Sequence, residues 1–221
     1  MTHPTQALHI PDTQSERDER HLVIQRVGVK DVRYPLRLRV AGAEQTTAAL
    51  WSLDVALPAE KKGTHMSRFV AWLDGLDAPL DAAVLRDKLG AMLTLLGAAE
   101  GRIESRFSFF LRKRAPVSGV SSLMDYQGRW IAEARAGKTT VWTEVAVPVK
   151  SLCPCSKEIS DYGAHNQRST VTIRVETQAP LAWEELVRFA EVNASSELWA
   201  LLKRSDEKWI TERAYENPKF V

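Results

Sequence analysis

A chain of 221 residues and 24.8 kDa is long enough for one domain or two small ones with an ample core. Its 44% hydrophobic and 26% charged residues are the balance of an ordinary soluble globular protein, and a formal net charge of +2 gives no electrostatic reason to expect nucleic acid. The longest apolar run, about Leu89–Ala99, is too short for the ~20 residues that cross a bilayer, and the N-terminus lacks a signal-peptide core. The two cysteines, Cys153 and Cys155, are separated by one residue and poorly placed to bridge each other. A cytoplasmic, reducing compartment with free thiols or metal thiolates is expected.

Residues 1–24 contain Pro4, Pro11 and the charged run Glu16–Arg20 without apolar periodicity, and read as a mobile arm. From Asp31 the pattern alternates: Val32, Tyr34, Leu36, Leu38 and Val40 on one face, Arg33, Pro35, Arg37 and Arg39 on the other. Period two predicts a half-buried strand, with Pro35 at an edge or bulge. Ala41-Gly42 makes a turn, and Ala49, Trp51, Leu53, Val55 and Leu57 alternate again, which predicts an antiparallel hairpin. After the polar loop Pro58–Thr64, helices are predicted over His65–Leu73 and Asp81–Leu96, the second with Val84, Leu85, Leu89, Met92, Leu93 and Leu96 on its apolar face. Gly97 and Gly101 bracket its end. Strands return at Arg102–Leu111 and within Gly128–Ala136.

A second cycle begins at Thr140, with Val141, Thr143, Val145, Val147 and Val149 facing one way. A loop holding both cysteines and His165 follows, then a strand over Thr170–Thr177 and helices over Trp183–Leu202 and Asp206–Tyr215. The reading is α+β: a first module over 25–138 ordered β-β-α-α-β-β, and a second over 139–221 ordered β-β-α-α and lacking the closing hairpin. The repeat is one of architecture, without residue-level similarity.

The loop Ser151–Ser169 carries the most chemistry. Proline pushes the preceding Cys153 toward extended geometry, and in an extended segment residues two apart face the same way, so both sulfurs are expected to line one pocket. His165 is brought back by the turn-forming Asp161-Tyr162-Gly163. A thiolate and an imidazole suit a borderline-soft divalent ion, and a catalytic site of that kind needs a third protein ligand and one open position. On composition alone the alternative is two small buried thiols and a turn histidine. Lys61, Lys62 and His65 precede a helix with Arg68 one turn in, an arrangement able to seat an anion, against the alternative of a solvated basic loop. Arg112-Lys113-Arg114 reads as a phosphate clamp or a strand-end charge run.

Four blocks, in order, are more specific: G-V-K-D-V-R-Y-P at Gly28–Pro35, K-G-T-H-M-S-R-F at Lys62–Phe69, S-L-C-P-C-S-K-E-I-S-D-Y-G-A-H-N-Q-R-S at Ser151–Ser169, and E-R-A-Y-E-N-P-K-F-V at Glu212–Val221. Together they closely resemble the prokaryotic type IB GTP cyclohydrolase I family, from about Gln25 onward. The resemblance implies a tunnel fold of two fused modules and a homotetramer with active sites between chains. It implies hydrolysis of GTP to 7,8-dihydroneopterin triphosphate and formate, feeding folate and, in many bacteria, 7-deazaguanine synthesis.

By motif, Cys153, His165 and Glu207 resemble the ligands of one divalent ion per subunit, manganese or zinc. Cys155 resembles a second essential cysteine that contacts the purine, and Lys61, Lys62, His65 and Arg68 are the candidates for the triphosphate. The family pattern continues past Val221 with a glutamate that grips guanine and a late histidine-bearing segment. The rivals are a tunnel-fold nitrile reductase, which uses a cysteine nucleophile and NADPH and needs no metal, and a zinc-stabilised binding module with every coordination position filled.

Overall fold

Strands β1 (Ile24–Val40), β2 (Ala43–Leu57), β3 (Gly101–Arg114), β4 (Ser121–Arg135), β5 (Lys138–Leu152) and β6 (Asn166–Glu176) form one antiparallel sheet in chain order. The computed structural model describes residues 12, 14, 16–176 and 179–219. Helices α1 (Met66–Asp74) and α2 (Ala82–Leu96) cross from β2 to β3, and α4 (Trp183–Asn193) and α5 (Arg204–Glu216) follow β6. A six-residue helix, α3 (Pro154–Ile159), lies between β5 and β6. The two strand-strand-helix-helix modules therefore share a continuous sheet, in the tunnel-fold arrangement.

Alternation along the strands sorts the two faces. Leu36, Leu38, Trp51, Leu53, Ile103, Phe107, Val145 and Val147 are buried in one core with Phe69, Leu85, Leu89 and Met92 of the helices. Trp183 of α4 reaches the same core, with its ring centroid 5.0 to 5.5 Å from those of Phe107, Phe109 and Trp130. Such pairs add about 0.5–1.5 kcal/mol each beyond their buried area. Gly128 permits this packing, because a Cβ there would stand 2.6 Å from the Phe107 ring. On the opposite face a charge ladder crosses the sheet: Arg26 pairs with Asp54, Arg129 joins Glu104 to Glu144, and Arg174 closes on Glu144.

Local signals explain the element ends. Ala41 and Gly42 both have positive φ, as a primed two-residue hairpin turn requires. Asp81 caps α2 by accepting from the Val84 amide at 2.9 Å, and Gly97 ends it in the left-handed region. The helix expected over Trp183–Leu202 stops at Asn193. The Ser196 backbone instead pairs with Lys150 of β5, which pulls the chain out of helical geometry.

Of the expected arm, residues 1–11, 13 and 15 lie outside the described residues. Glu16–Asp18 is docked: the Asp18 amide donates to Glu60, the Lys62 amide to Glu16, and Lys62 Nζ bonds the Glu16 carboxylate at 2.7 Å. Among the described residues no helix is long and apolar enough to cross a membrane.

Candidate active site

The β5–β6 ladder ends at the pair Leu152–Asn166, and the next backbone contact is the Cys153 amide donating to the His165 carbonyl at 3.0 Å. Strand pairing thus brings together two residues twelve apart in sequence. Ser195 adds a buried anchor, its Oγ accepting from the Leu152 amide at 3.1 Å. Below the cysteines, Lys157 reaches over the Tyr215 ring, 4.2 Å from its centroid, and donates to the Tyr215 carbonyl.

The two sulfurs do not share an extended segment. Cys153 is extended, as the following proline requires, but it is the N-cap of α3, with Pro154 and Cys155 already in the helix. Cys153 is half-buried and Cys155 exposed, and both are free. The amide and hydroxyl of Ser156 favour the charged form of the Cys153 sulfur and hold its pKa below the ordinary thiol value, as expected at a helix N-terminus.

Glu207 sits in the first turn of α5, exposed, and pairs with Arg204 at 2.9 Å. Among the described residues no three His, Cys, Asp or Glu side chains gather into a set able to hold an ion. Glu207 nevertheless shares a helix stripe with Thr211 and Tyr215, at i+4 and i+8. Those two line a cavity of about 360 Å³ against Gly163, Ala164 and Asn166, the residues flanking His165. The donor set fits a divalent ion in type: a sulfur disposed to thiolate, an adjacent exposed imidazole, and a carboxylate along the facing stripe.

The basic residues form a separate group. Lys61 Nζ donates to Gly97 O at 2.6 Å and Arg68 to Leu95 O at 3.1 Å, so both neutralise the carbonyl end of α2. With His65 they line a cavity of about 270 Å³, and Lys62 lies beside it in its pair with Glu16. This cavity adjoins the sheet row Val55–Gly101–Ala134–Thr139, where β5 begins. The cysteine loop lies where β5 ends, thirteen residues on, so the two are on the order of 40 Å apart along the strand.

Lys113 is not an open phosphate clamp. Its ammonium is held by Glu191 at 2.6 Å, Glu197 at 3.0 Å and the Leu198 carbonyl at 2.9 Å. The sequence reading also missed Asp206, which is fully buried and accepts four hydrogen bonds at the start of α5. An acid at the start of a predicted helix was the available signal.

A family model described as type I GTP cyclohydrolase folE2 matches residues 10–221. The protein named GTP cyclohydrolase FolE2 from Methylibium petroleiphilum is 68% identical, over 96% of this chain and 82% of its own length. Its namesake from Paraburkholderia xenovorans is 58% identical, over 100% of this chain and 83% of its own length. GTP cyclohydrolase FolE2 2 from Cupriavidus metallidurans is also 58% identical, over 97% and 80%.

Proposed function

The chain belongs to the type I GTP cyclohydrolase FolE2 family, and on that premise we propose which residues carry the family's reaction. That reaction is hydrolysis of GTP to 7,8-dihydroneopterin 3′-triphosphate and formate, the first step of folate biosynthesis. The observation that supports the assignment is the Cys153–His165 backbone bond at the end of the β5–β6 ladder, which brings together a cysteine and a histidine twelve residues apart.

Cys153, His165 and Glu207 would hold one divalent ion per subunit, manganese or zinc. When bound, the ion would supply Lewis acidity toward water near neutral pH, the chemistry that opening of the guanine imidazole at C8 needs. Glu207 reaches it by leaving Arg204, a small cost for an exposed ion pair. Cys155, exposed on the first turn of α3, delivers a proton to the ring nitrogen bonded to C8 and takes one back from the C8 hydroxyl as the C8–N bond breaks. The protein works in a reducing cytoplasm, where both thiols stay free.

Lys61, Lys62, His65 and Arg68 receive the triphosphate. Their separation from the cysteine loop within one chain is far longer than a nucleoside triphosphate, so one GTP uses the basic loop of one subunit and the cysteine loop of another. This favours a homotetramer with sites between chains.

Formate release from GTP, measured beside metal content, tests the core of the reading; an active protein without divalent metal overturns it. Subunit sharing has its own test. Cys155→Ala and Arg68→Ala, each impaired alone, should regain turnover when co-assembled, because some interfaces then carry two intact halves. Failure of co-assembled tetramers to regain turnover refutes the shared site.

A further inference from the structure

Helix α5 is fastened at both ends by different means. At its C-terminal end Asn217 Nδ2 donates to Ala194 O at 3.0 Å, and the Lys219 amide donates to Leu152 O at 3.3 Å. The first bond ties the helix to the C-terminal end of α4, and the second to the end of β5, next to Cys153. At its N-terminal end the carboxylate of Asp206 is fully buried. Its Oδ1 accepts from the amides of Val117 and Ser118, both at 2.9 Å. Its Oδ2 accepts from the Ser118 hydroxyl at 2.6 Å and the Lys203 amide at 2.8 Å. Val117 and Ser118 belong to the turn between β3 and β4, so one side chain closes the first turn of α5 and locks it onto the sheet.

We propose that Asp206 is a positioning residue for metal capture: its clamp fixes the rotation and height of α5 at which Glu207 faces the Cys153–His165 loop. The proposal rests on the reading of Glu207 as the third ligand. The physical argument is one of leverage. Glu207 is the next residue along the helix, and near this end the apolar contacts that remain if the clamp opens include Ile210, Ala214 and the edge contact of Trp209 with Trp199, 6.1 Å between centroids. Those contacts resist separation of the helix from the sheet but resist rotation and sliding poorly, because apolar burial is non-directional. Four directed hydrogen bonds to one carboxylate do fix both. A ligand displaced by a fraction of an ångström loses the geometry that a metal site demands.

The test uses metal-stripped full chain titrated with Co²⁺, followed by the thiolate-to-cobalt charge-transfer band of Cys153, with urea unfolding run in parallel. Glu207→Gln should weaken cobalt binding by about tenfold or more, and Asp206→Asn by about tenfold in protein that remains folded, the scale of a lost supporting contact. The double variant should bind no more weakly than Glu207→Gln alone, because Asp206 acts only through Glu207. Ser118→Ala removes one donor and keeps the carboxylate. It should weaken binding in the same sense by less, and it carries the test if Asp206→Asn does not fold. Wild-type cobalt affinity in the folded Asp206→Asn or Ser118→Ala protein overturns the proposal. So does a double variant in which the two losses multiply, since Asp206 would then act as a helix cap alone. Unchanged affinity in Glu207→Gln instead refutes the ligand reading and takes the positioning role with it.

Discussion

Both modules place two strands before two helices, yet different forces hold their helices to the sheet. In the first, α2 is fifteen residues long, capped by Asp81 and Gly97, and buries Leu85, Leu89 and Met92 completely. In the second, α4 has no side-chain N-cap, and no residue of β6 is fully buried. Helix α4 also buries Trp183, Val187 and Ala190, but buried polar groups add directed contacts to this module: Glu191 is held by Lys113 and Tyr126, Ser195 by the Leu152 amide, and Asp206 by four donors. Apolar burial is strong but non-directional. Hydrogen bonds contribute less to stability on net but fix orientation. The module with the cysteine loop is the one built from directed contacts.

The comparison is broken most severely at the loop itself. Cys153→Ala should lose bound metal and turnover together. Cys155→Ala should keep its metal and lose turnover by the ~10²–10⁴-fold typical of a missing general acid–base group. Elemental analysis beside formate release separates the two variants. Loss of metal from Cys155→Ala would mean that both sulfurs ligate and would end the proton-transfer role.

Stability tests come next. Lys113→Met leaves Glu191 buried without its cation, and breaking such a pair costs about 3–5 kcal/mol. Leu89→Ala opens a cavity in the first module and costs about 2–5 kcal/mol. The two should differ in the metal-binding behaviour of protein that remains folded. Leu89→Ala should leave cobalt affinity unchanged, whereas Lys113→Met should weaken it, since Lys113 also holds the Glu197–Leu198 segment that follows Ser195. Equal cobalt affinities would show that orientation in the second module does not depend on this pair.

The α2 helix was legible from end to end because its periodicity, Asp81 and Gly97 all point to one answer. The β1–β2 hairpin was legible for the same reason. Helix α3 was not: six residues are too few for periodicity, and the sign available was Pro154 at a first helical position. The expected range of α4 ran on to Leu202, but the Lys150–Ser196 pairing ends the helix sooner, and pairing between distant segments leaves no local mark. The Cys–His pair was readable by motif, whereas the approach of His165 depends on the β5–β6 register. Asp206 looks in sequence like any surface acid near a helix start; only the turn at Val117–Ser118, far away in the chain, makes it buried.

The pH dependence of stability sharpens the contrast. Burial raises the pKa of Glu191 above its ordinary 4.5, against the opposing pull of Lys113 and Tyr126. The folded state then holds that proton more tightly than the unfolded chain, so this contribution is fully present below about pH 4.5 and is lost as pH rises through the folded value. Glu104, in the ladder on the open face, behaves oppositely. Burial, the largest single influence, works against its charge, but the Arg129 hydrogen bond and the charges of Arg129, Arg102 and Arg106 together outweigh it and hold the pKa below 4.5. Its contribution is present above about pH 4.5 and is lost as pH falls. Glu191→Gln should therefore flatten the decline above that pH, and Glu104→Gln the acid-side decline. Urea midpoints measured across both ranges check the signs; a decline above pH 4.5 unchanged in Glu191→Gln would show that this carboxyl is ionised throughout.

The smallest expected effect lies in the apolar module. Ser105 on β3 is fully buried, and its Oγ has no hydrogen-bond partner among the described residues. Its register neighbours are Trp51 and Trp130, so the hydroxyl lies in an aromatic layer. An unpaired buried hydroxyl carries a desolvation cost of about 1–3 kcal/mol, while a Ser→Ala change removes one atom and leaves little empty volume. Ser105→Ala should thus stabilise the protein by about 1 kcal/mol, read as a higher urea midpoint at unchanged slope. The equivalent change in the second module, Ser195→Ala, should do the reverse, because it strands the buried Leu152 amide. If Ser105→Ala destabilises instead, its hydroxyl is bonded, with a buried water the natural partner. The apolar module would then share the directed contacts of its neighbour.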